Sequence, residues 1–162
     1  LADENGKMPG FPDLIQKARE ASDFPSLLDV DDNRFLAPDS MIEEVRKACR
    51  ETSQKVPENT GEIMQVLYNS LSQDYRRAVL SLQELTGRTY TSINIVGGGC
   101  QDMYLNEMTA VTAGLPVYAG PVEGTAIGNL LVQMIAGKEF TSLQEARDAI
   151  RNSFEIQEVK GK

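Results

Sequence analysis

Thr91-Ser92-Ile93-Asn94-Ile95-Val96-Gly97-Gly98-Gly99-Cys100-Gln101 is the stretch on which the reading of this chain turns. Its first half is rich in β-branched residues and ends on three glycines, which predicts a strand over 91–96 followed by a tight turn. Cys100 to Ala113 then returns to helical spacing through Leu105, Met108 and Val111, and Gly114 closes it. Leu115 to Ala119 reads as a second short strand, and Glu123 to Ala136, ending at Gly137, as a further helix. A strand, a helix and a strand of these lengths predict a parallel pair. Parallel sheets occur almost only with several strands, so the sheet is expected to be completed by chain outside these 162 residues or by a partner. The fold class predicted is α/β, helix-rich, with a short parallel strand pair.

Upstream, residues 1–10 have little to bury and read as a loop. Pro12 and Asp13 suit the first turn of a short helix with Leu14, Ile15 and Ala18 on one face, stopping before Pro25. Pro25 to Ala37 reads as a solvated acidic connection. Asp29, Asp31 and Asp32 lack the glycine and closing Glu of a calcium loop. Ser40-x-x-Glu43 is a capping box opening helix 40–52, with Met41, Ile42, Val45, Ala48 and Cys49 on a stripe. Asn59-x-x-Glu62 opens a longer helix whose expected stripe is Ile63, Leu67, Leu71, Tyr75, Ala78, Leu82 and Leu85, closed by Gly87. Downstream, Ser142-x-x-Glu145 boxes a last helix with Leu143, Ala146, Ala149 and Ile150, and Phe154 to Lys162 shows no clear element. No internal repeat appears.

Composition narrows the function classes. A length of 162 residues suits one domain with a real core, and 41% apolar with 25% charged residues is the mixture of an ordinary globular, soluble protein. The net charge of -8 sets up repulsion from phosphate backbones and anionic lipid, against nucleic-acid and membrane partners. Histidine is absent, which removes Ser-His-Asp and Cys-His nucleophile pairs and the commonest metal ligand. Cys49 and Cys100 can build neither a zinc site without histidine nor a disulfide framework, a usage that suits the cytoplasm. The opening Leu-Ala-Asp-Glu reads as neither a signal peptide nor a natural start, so the chain reads as a fragment.

The glycine turn is the candidate site. At a helix N-terminus, free N–H groups favour hydrogen-bond-accepting ligand atoms, and glycine both permits positive φ and lets a flat ring or a phosphate approach the backbone. A turn with no ligand is the competing reading. Cys100-Gln101-Asp102 after Gly99 does not continue a dinucleotide fingerprint, and no Lys follows to make a P-loop. For Cys100 two readings stand: a thiol activated by the helix dipole, or a small residue in a crowded turn. Glu123 either caps its own helix or ties it to the glycine turn. Gly124 and Gly128 read as close-packing positions, and Asn106 either braces the turn or lies exposed.

The longer string is more specific. Ile-Asn-Ile-Val-Gly-Gly-Gly-Cys-Gln, then Leu105-Asn106, then Gly-Leu-Pro-Val-Tyr-Ala-Gly-Pro-Val-Glu-Gly-Thr-Ala-Ile-Gly-Asn at 114–129 resembles the FGGY carbohydrate kinases, over roughly residues 30–155, and Ala-Cys-Arg-Glu-Thr at 48–52 agrees. The resemblance implies part of an actin-like, RNase H-like ATPase domain over 37–155, with 1–36 linker-like and 156–162 a tail. It implies transfer of the γ-phosphoryl group of MgATP to a ketose, L-rhamnulose for the branch whose wording this is. Carried over, Gly98 is the nucleotide contact, with Gly97, Gly99 and Gln101 lining the same turn. The family's phosphate-binding glycine hairpins and its catalytic Asp find no match here, so the base, the Mg²⁺ site and the sugar pocket are expected in chain outside these residues. The partners implied are ATP, rhamnulose, and the rest of the kinase or a second copy. A nucleotide-sensing module derived from a sugar kinase, a kinase of the family with another sugar, and a purely structural helical partner are the rivals.

Overall fold

A computed structural model describes residues 9–161, so all but the end of the expected N-terminal loop lies outside the described residues. The chain forms two compact units, meeting in sequence at Leu85–Thr86.

The first unit is helical: α1 (Phe11–Glu20), α2 (Met41–Glu51) and α3 (Thr60–Thr86). Its helix starts are the ones the caps predict. Ser40 Oγ accepts from the Glu43 N–H at 3.4 Å, and Asn59 Oδ1 accepts from the Glu62 N–H at 3.0 Å, satisfying donors that have no partner inside the helix. Phe24, Val45, Cys49, Ile63 and Val66 form the buried core, with Leu28, Phe35, Ile42, Val56 and Leu67 packed on it. The connection after Pro25 holds a short 3-10 turn at Asn33–Phe35 and is tied down by polar groups. Ser70 Oγ accepts from the Leu28 N–H at 2.9 Å, and Asn69 Nδ2 donates to the Phe24 carbonyl at 2.8 Å. Asp29 and Asp31 are exposed, as a solvated loop requires, and both pair with Arg77, at 3.4 and 2.9 Å.

The expected stripe of α3 is corrected along its second half. Ala78, Leu82 and Leu85 are exposed, and the buried residues all lie in the first half: Gly61, Ile63, Gln65, Val66, Tyr68, Ser70 and Ser72. Polar side chains are among them because they serve the connection and α3's own backbone: Gln65 Nε2 bonds Asn69 Oδ1 at 2.8 Å and Ser70 Oγ bonds the Val66 carbonyl.

The second unit is the α/β part: β1 (Ile93–Ile95), a 3-10 turn (Gly98–Gln101), α4 (Met103–Ala113), β2 (Val117–Ala119), α5 (Gly124–Ala136), α6 (Leu143–Ser153) and β3 (Gln157–Val159). β1 and β2 are the expected parallel pair, with Ile93 opposite Val117. The segment expected to be a featureless tail supplies β3, antiparallel to β2 with Val117 opposite Val159, giving the order β1-β2-β3. Because strand side chains alternate, Val117 and Val159 pack with Ile93 on Ala110 of α4, while the row Asn94-Tyr118-Glu158 faces the other way. α5 is apolar throughout most of its length yet buries none of its residues; Leu130 and Val132 are 56% and 65% exposed. No helix among the described residues is long and apolar enough to cross a membrane.

Candidate functional site

The backbone between β1 and α4 is built residue by residue. Past Ile95 the ladder continues, since the Gly120 N–H donates to the Ile95 carbonyl at 2.8 Å and the Gly97 N–H to the Pro121 carbonyl at 3.1 Å. Gly97 then turns the chain at φ 77°, ψ -163°, a conformation essentially reserved for glycine. Gly98 to Gln101 wind as a 3-10 turn, closed by the Cys100 N–H on the Gly97 carbonyl and the Asp102 N–H on the Gly99 carbonyl, both at 3.2 Å.

The helix therefore starts at Met103 and not at Cys100, and its N-terminus is already occupied. Asp102 is the N-cap, its carboxylate accepting from the Leu105 N–H at 3.1 Å. The expected helix start at Cys100 is corrected to Met103, and of the first-turn N–H groups that of Leu105 is taken by the protein's own carboxylate, at the positive end of the dipole. What the turn offers is a surface without side chains. A Cβ built on Gly98 meets nothing within 4 Å, and one on Gly99 meets only Ile95 Cγ2, at the ordinary contact distance of 3.8 Å. Neither residue has positive φ. Both are exposed, as is Gln101.

The buried face of the helix also differs from the expected stripe. Tyr104, Asn106, Thr109 and Ala110 face inward, whereas Leu105 and Met108 are half-buried and Val111 is exposed. Asn106 is wholly buried; its Nδ2 donates to the Cys100 carbonyl at 3.0 Å, so of its two readings the structure selects the brace. Asn106 Oδ1 and Thr109 Oγ1, one turn on, are buried without a hydrogen-bond partner among the described residues. Cys100 is 7% exposed, a small residue filling the turn's interior. Gln101 alone of the four named residues lines a neighbouring cavity of about 350 Å³, walled also by Met103, Ala119, Val122 and Glu155. Gly124 is a close-packing position, a Cβ there falling 2.8 Å from Val96 Cβ, whereas Gly128 opens on empty space. Glu123 is the N-cap residue of α5 but its carboxylate makes no capping hydrogen bond. Among the described residues no group of three or more His, Cys, Asp or Glu side chains is placed to hold a metal ion, so no metal step is assigned to this chain.

The cap of α4 escaped the sequence reading, and so did its inward face. Asp102 carried a signal, an Asp one residue before a helical run, which the adjacent glycines masked by looking like the boundary themselves. The expected stripe of α4 missed the inward face because that face carries the polar Asn106 and Thr109, while the apolar Leu105, Met108 and Val111 are half-buried or exposed.

Known proteins resemble this chain over most of its length. Residues 2–137 match the FGGY family of carbohydrate kinases, C-terminal domain. The rhamnulokinase of Bacillus subtilis is 42% identical over 146 residues, which are 90% of this chain and 30% of that protein. That of Ligilactobacillus salivarius is 42% identical over 146 residues, with the same coverage. The rhamnulokinase of Lactiplantibacillus plantarum is 37% identical over 153 residues, 94% of this chain and 31% of that protein. The chain thus spans about 30% of the length of the curated relatives it matches. With most of its residues inside that match, the chain belongs to the FGGY family of carbohydrate kinases and carries sequence of its C-terminal domain.

Proposed function

We propose that this domain supplies the adenosine-contacting turn of an ATP-dependent sugar kinase, in which Gly98 is the principal contact and Gly97, Gly99 and Gln101 complete the surface. The supporting observation is that Gly98 and Gly99 are glycines the fold does not need. Space and backbone angle would both accept a side chain there, so their bareness is explained by what lies against them from outside. A flat, neutral group fits such a surface better than a phosphate, since the nearby helix terminus already holds the Asp102 carboxylate. L-rhamnulose is the sugar in this reading, from the names of the relatives. The base, the phosphate loops and the Mg²⁺ ligands belong to the rest of the kinase, which packs on the apolar surface of α5 and the free edge of β1.

In this scheme the turn binds ATP equally in ground and transition states, so losing it raises the Michaelis constant for ATP with little change in turnover. Gly98→Val in the full-length kinase carrying this domain is expected to raise KM for ATP at least about tenfold and to leave KM for the sugar unchanged. An unchanged ATP saturation curve in a variant with the parent's circular dichroism would leave the turn merely a turn.

A further inference from the structure

We propose that Asn106 is the positioning residue of the glycine turn: from the interior of the second unit it fixes the Cys100 carbonyl and so holds Gly98 and Gly99 in the shape that receives the nucleotide. The inference rests on the reading of the turn as the nucleotide contact.

The turn needs an outside tie. Its two internal hydrogen bonds are both 3.2 Å long and of 3-10 type, whose geometry is poorer than that of an α-helix, and consecutive glycines have the largest conformational freedom to lose. One end is fixed by the Gly97 N–H on the Pro121 carbonyl, at 3.1 Å. The other end is fixed by Asn106 Nδ2 on the Cys100 carbonyl, at 3.0 Å. Asn106 reaches it from the first turn of α4, where its own N–H bonds the Asp102 carbonyl at 3.0 Å, so turn and helix move as one piece.

Stability alone does not account for an asparagine at this position. Its side chain is 0% exposed and, among the described residues, its Oδ1 has no hydrogen-bond partner and its Nδ2 otherwise meets only Met103 Sδ at 3.8 Å. Burying an amide with an unsatisfied acceptor costs free energy that a leucine of similar size would not incur. What asparagine adds is the bond to the turn. A surface ordered in advance loses less entropy on binding, and that difference appears as ligand affinity.

The test is Asn106→Leu in the full-length kinase, read three ways. Melting is expected within a few degrees of the parent, because removal of the orphaned acceptor offsets loss of the bond. Modification of Cys100 by a thiol reagent is expected to accelerate about tenfold, while Cys49, buried in the other unit, reports any global loosening by its own rate. KM for ATP is expected to rise about tenfold with kcat and the sugar's KM unchanged. If the leucine variant does not fold, Asn106→Ser, too short to reach the carbonyl, takes its place with the same expectations for Cys100 and for KM, and with a lower melting temperature from the cavity it leaves. An unchanged rate at Cys100 overturns the tether. If Gly98→Val raises KM for ATP and Asn106→Leu does not, the positioning role fails while the nucleotide reading stands. If neither does, the nucleotide reading itself has failed.

Discussion

Gly97 and Gly98 are neighbours that the fold constrains in different ways. At Gly97 the φ of 77° with ψ near -163° excludes side chains on steric grounds, so Gly97→Ala is expected to cost on the order of 1–3 kcal/mol of stability. At Gly98 the angle is ordinary and the space open, and alanine restricts the unfolded chain more than glycine does, so Gly98→Ala is expected to be neutral or to stabilise by about 0.4–1 kcal/mol. Urea unfolding of the two variants checks the pair; equal destabilisation would mean that position 98 is structural after all. The triplet was legible as a turn and as a candidate contact. Which of its members carries the unusual angle was not, because any glycine can take it; the structure places it at Gly97. Asp102 shows the same limit, because its place as the cap depended on where a 3-10 turn ended, whereas for Asn106 the brace was one of two readings that the residues left open.

Among the elements, the helices were the most legible, since a cap and a stripe are local signals. The boxes at Ser40 and Ser142 are used, although only the latter's glutamate returns to the chain before the helix, Glu145 accepting from both the N–H and the hydroxyl of Thr141 at 2.7 Å. β3 was illegible because three residues cannot show a period, and its order comes from β2. The pairing has a side-chain component with a pH signature. Tyr118 donates to Glu158 Oε1 at 3.0 Å, which holds Glu158 below its ordinary 4.5, with Lys160 assisting, and Tyr118 above its ordinary 10.0. Glu158's contribution is therefore complete above its ordinary value and lost as pH falls through its lower folded value. That of Tyr118 is complete below its ordinary value and lost as pH rises through its higher folded value. Hydrogen exchange over residues 157–159 is expected to show protection that weakens at both extremes. In Tyr118→Phe it is expected to be weaker at neutral pH, with the acid-side loss from Glu158 much reduced. Identical protection in parent and variant would show that the bond contributes nothing.

For the whole molecule, the strand-helix-strand pattern predicted the α/β class, and the resemblance of the glycine-bearing string to the FGGY carbohydrate kinases implied the kinase domain. The division at Leu85–Thr86 was not visible, since α3 runs up to it without a break in helical sequence. Exposed Leu130 and Val132 on α5, and a β1 that among the described residues pairs only with β2, are surfaces expected to associate when the 162-residue chain is isolated. Its sedimentation should show mass rising with concentration, and a monomer at every concentration would contradict this. The isolated chain is also expected to release no ADP in the presence of rhamnulose and MgATP, because under the proposed function the groups that stabilise phosphoryl transfer belong to the rest of the kinase. The central claim, that the bare turn lies against ATP, is tested most directly by hydrogen–deuterium exchange of the full-length kinase with and without saturating ATP. The account predicts slowed exchange in the peptide spanning Gly97–Gln101. Protection elsewhere in the saturated enzyme, with exchange at Gly97–Gln101 unchanged, would contradict it.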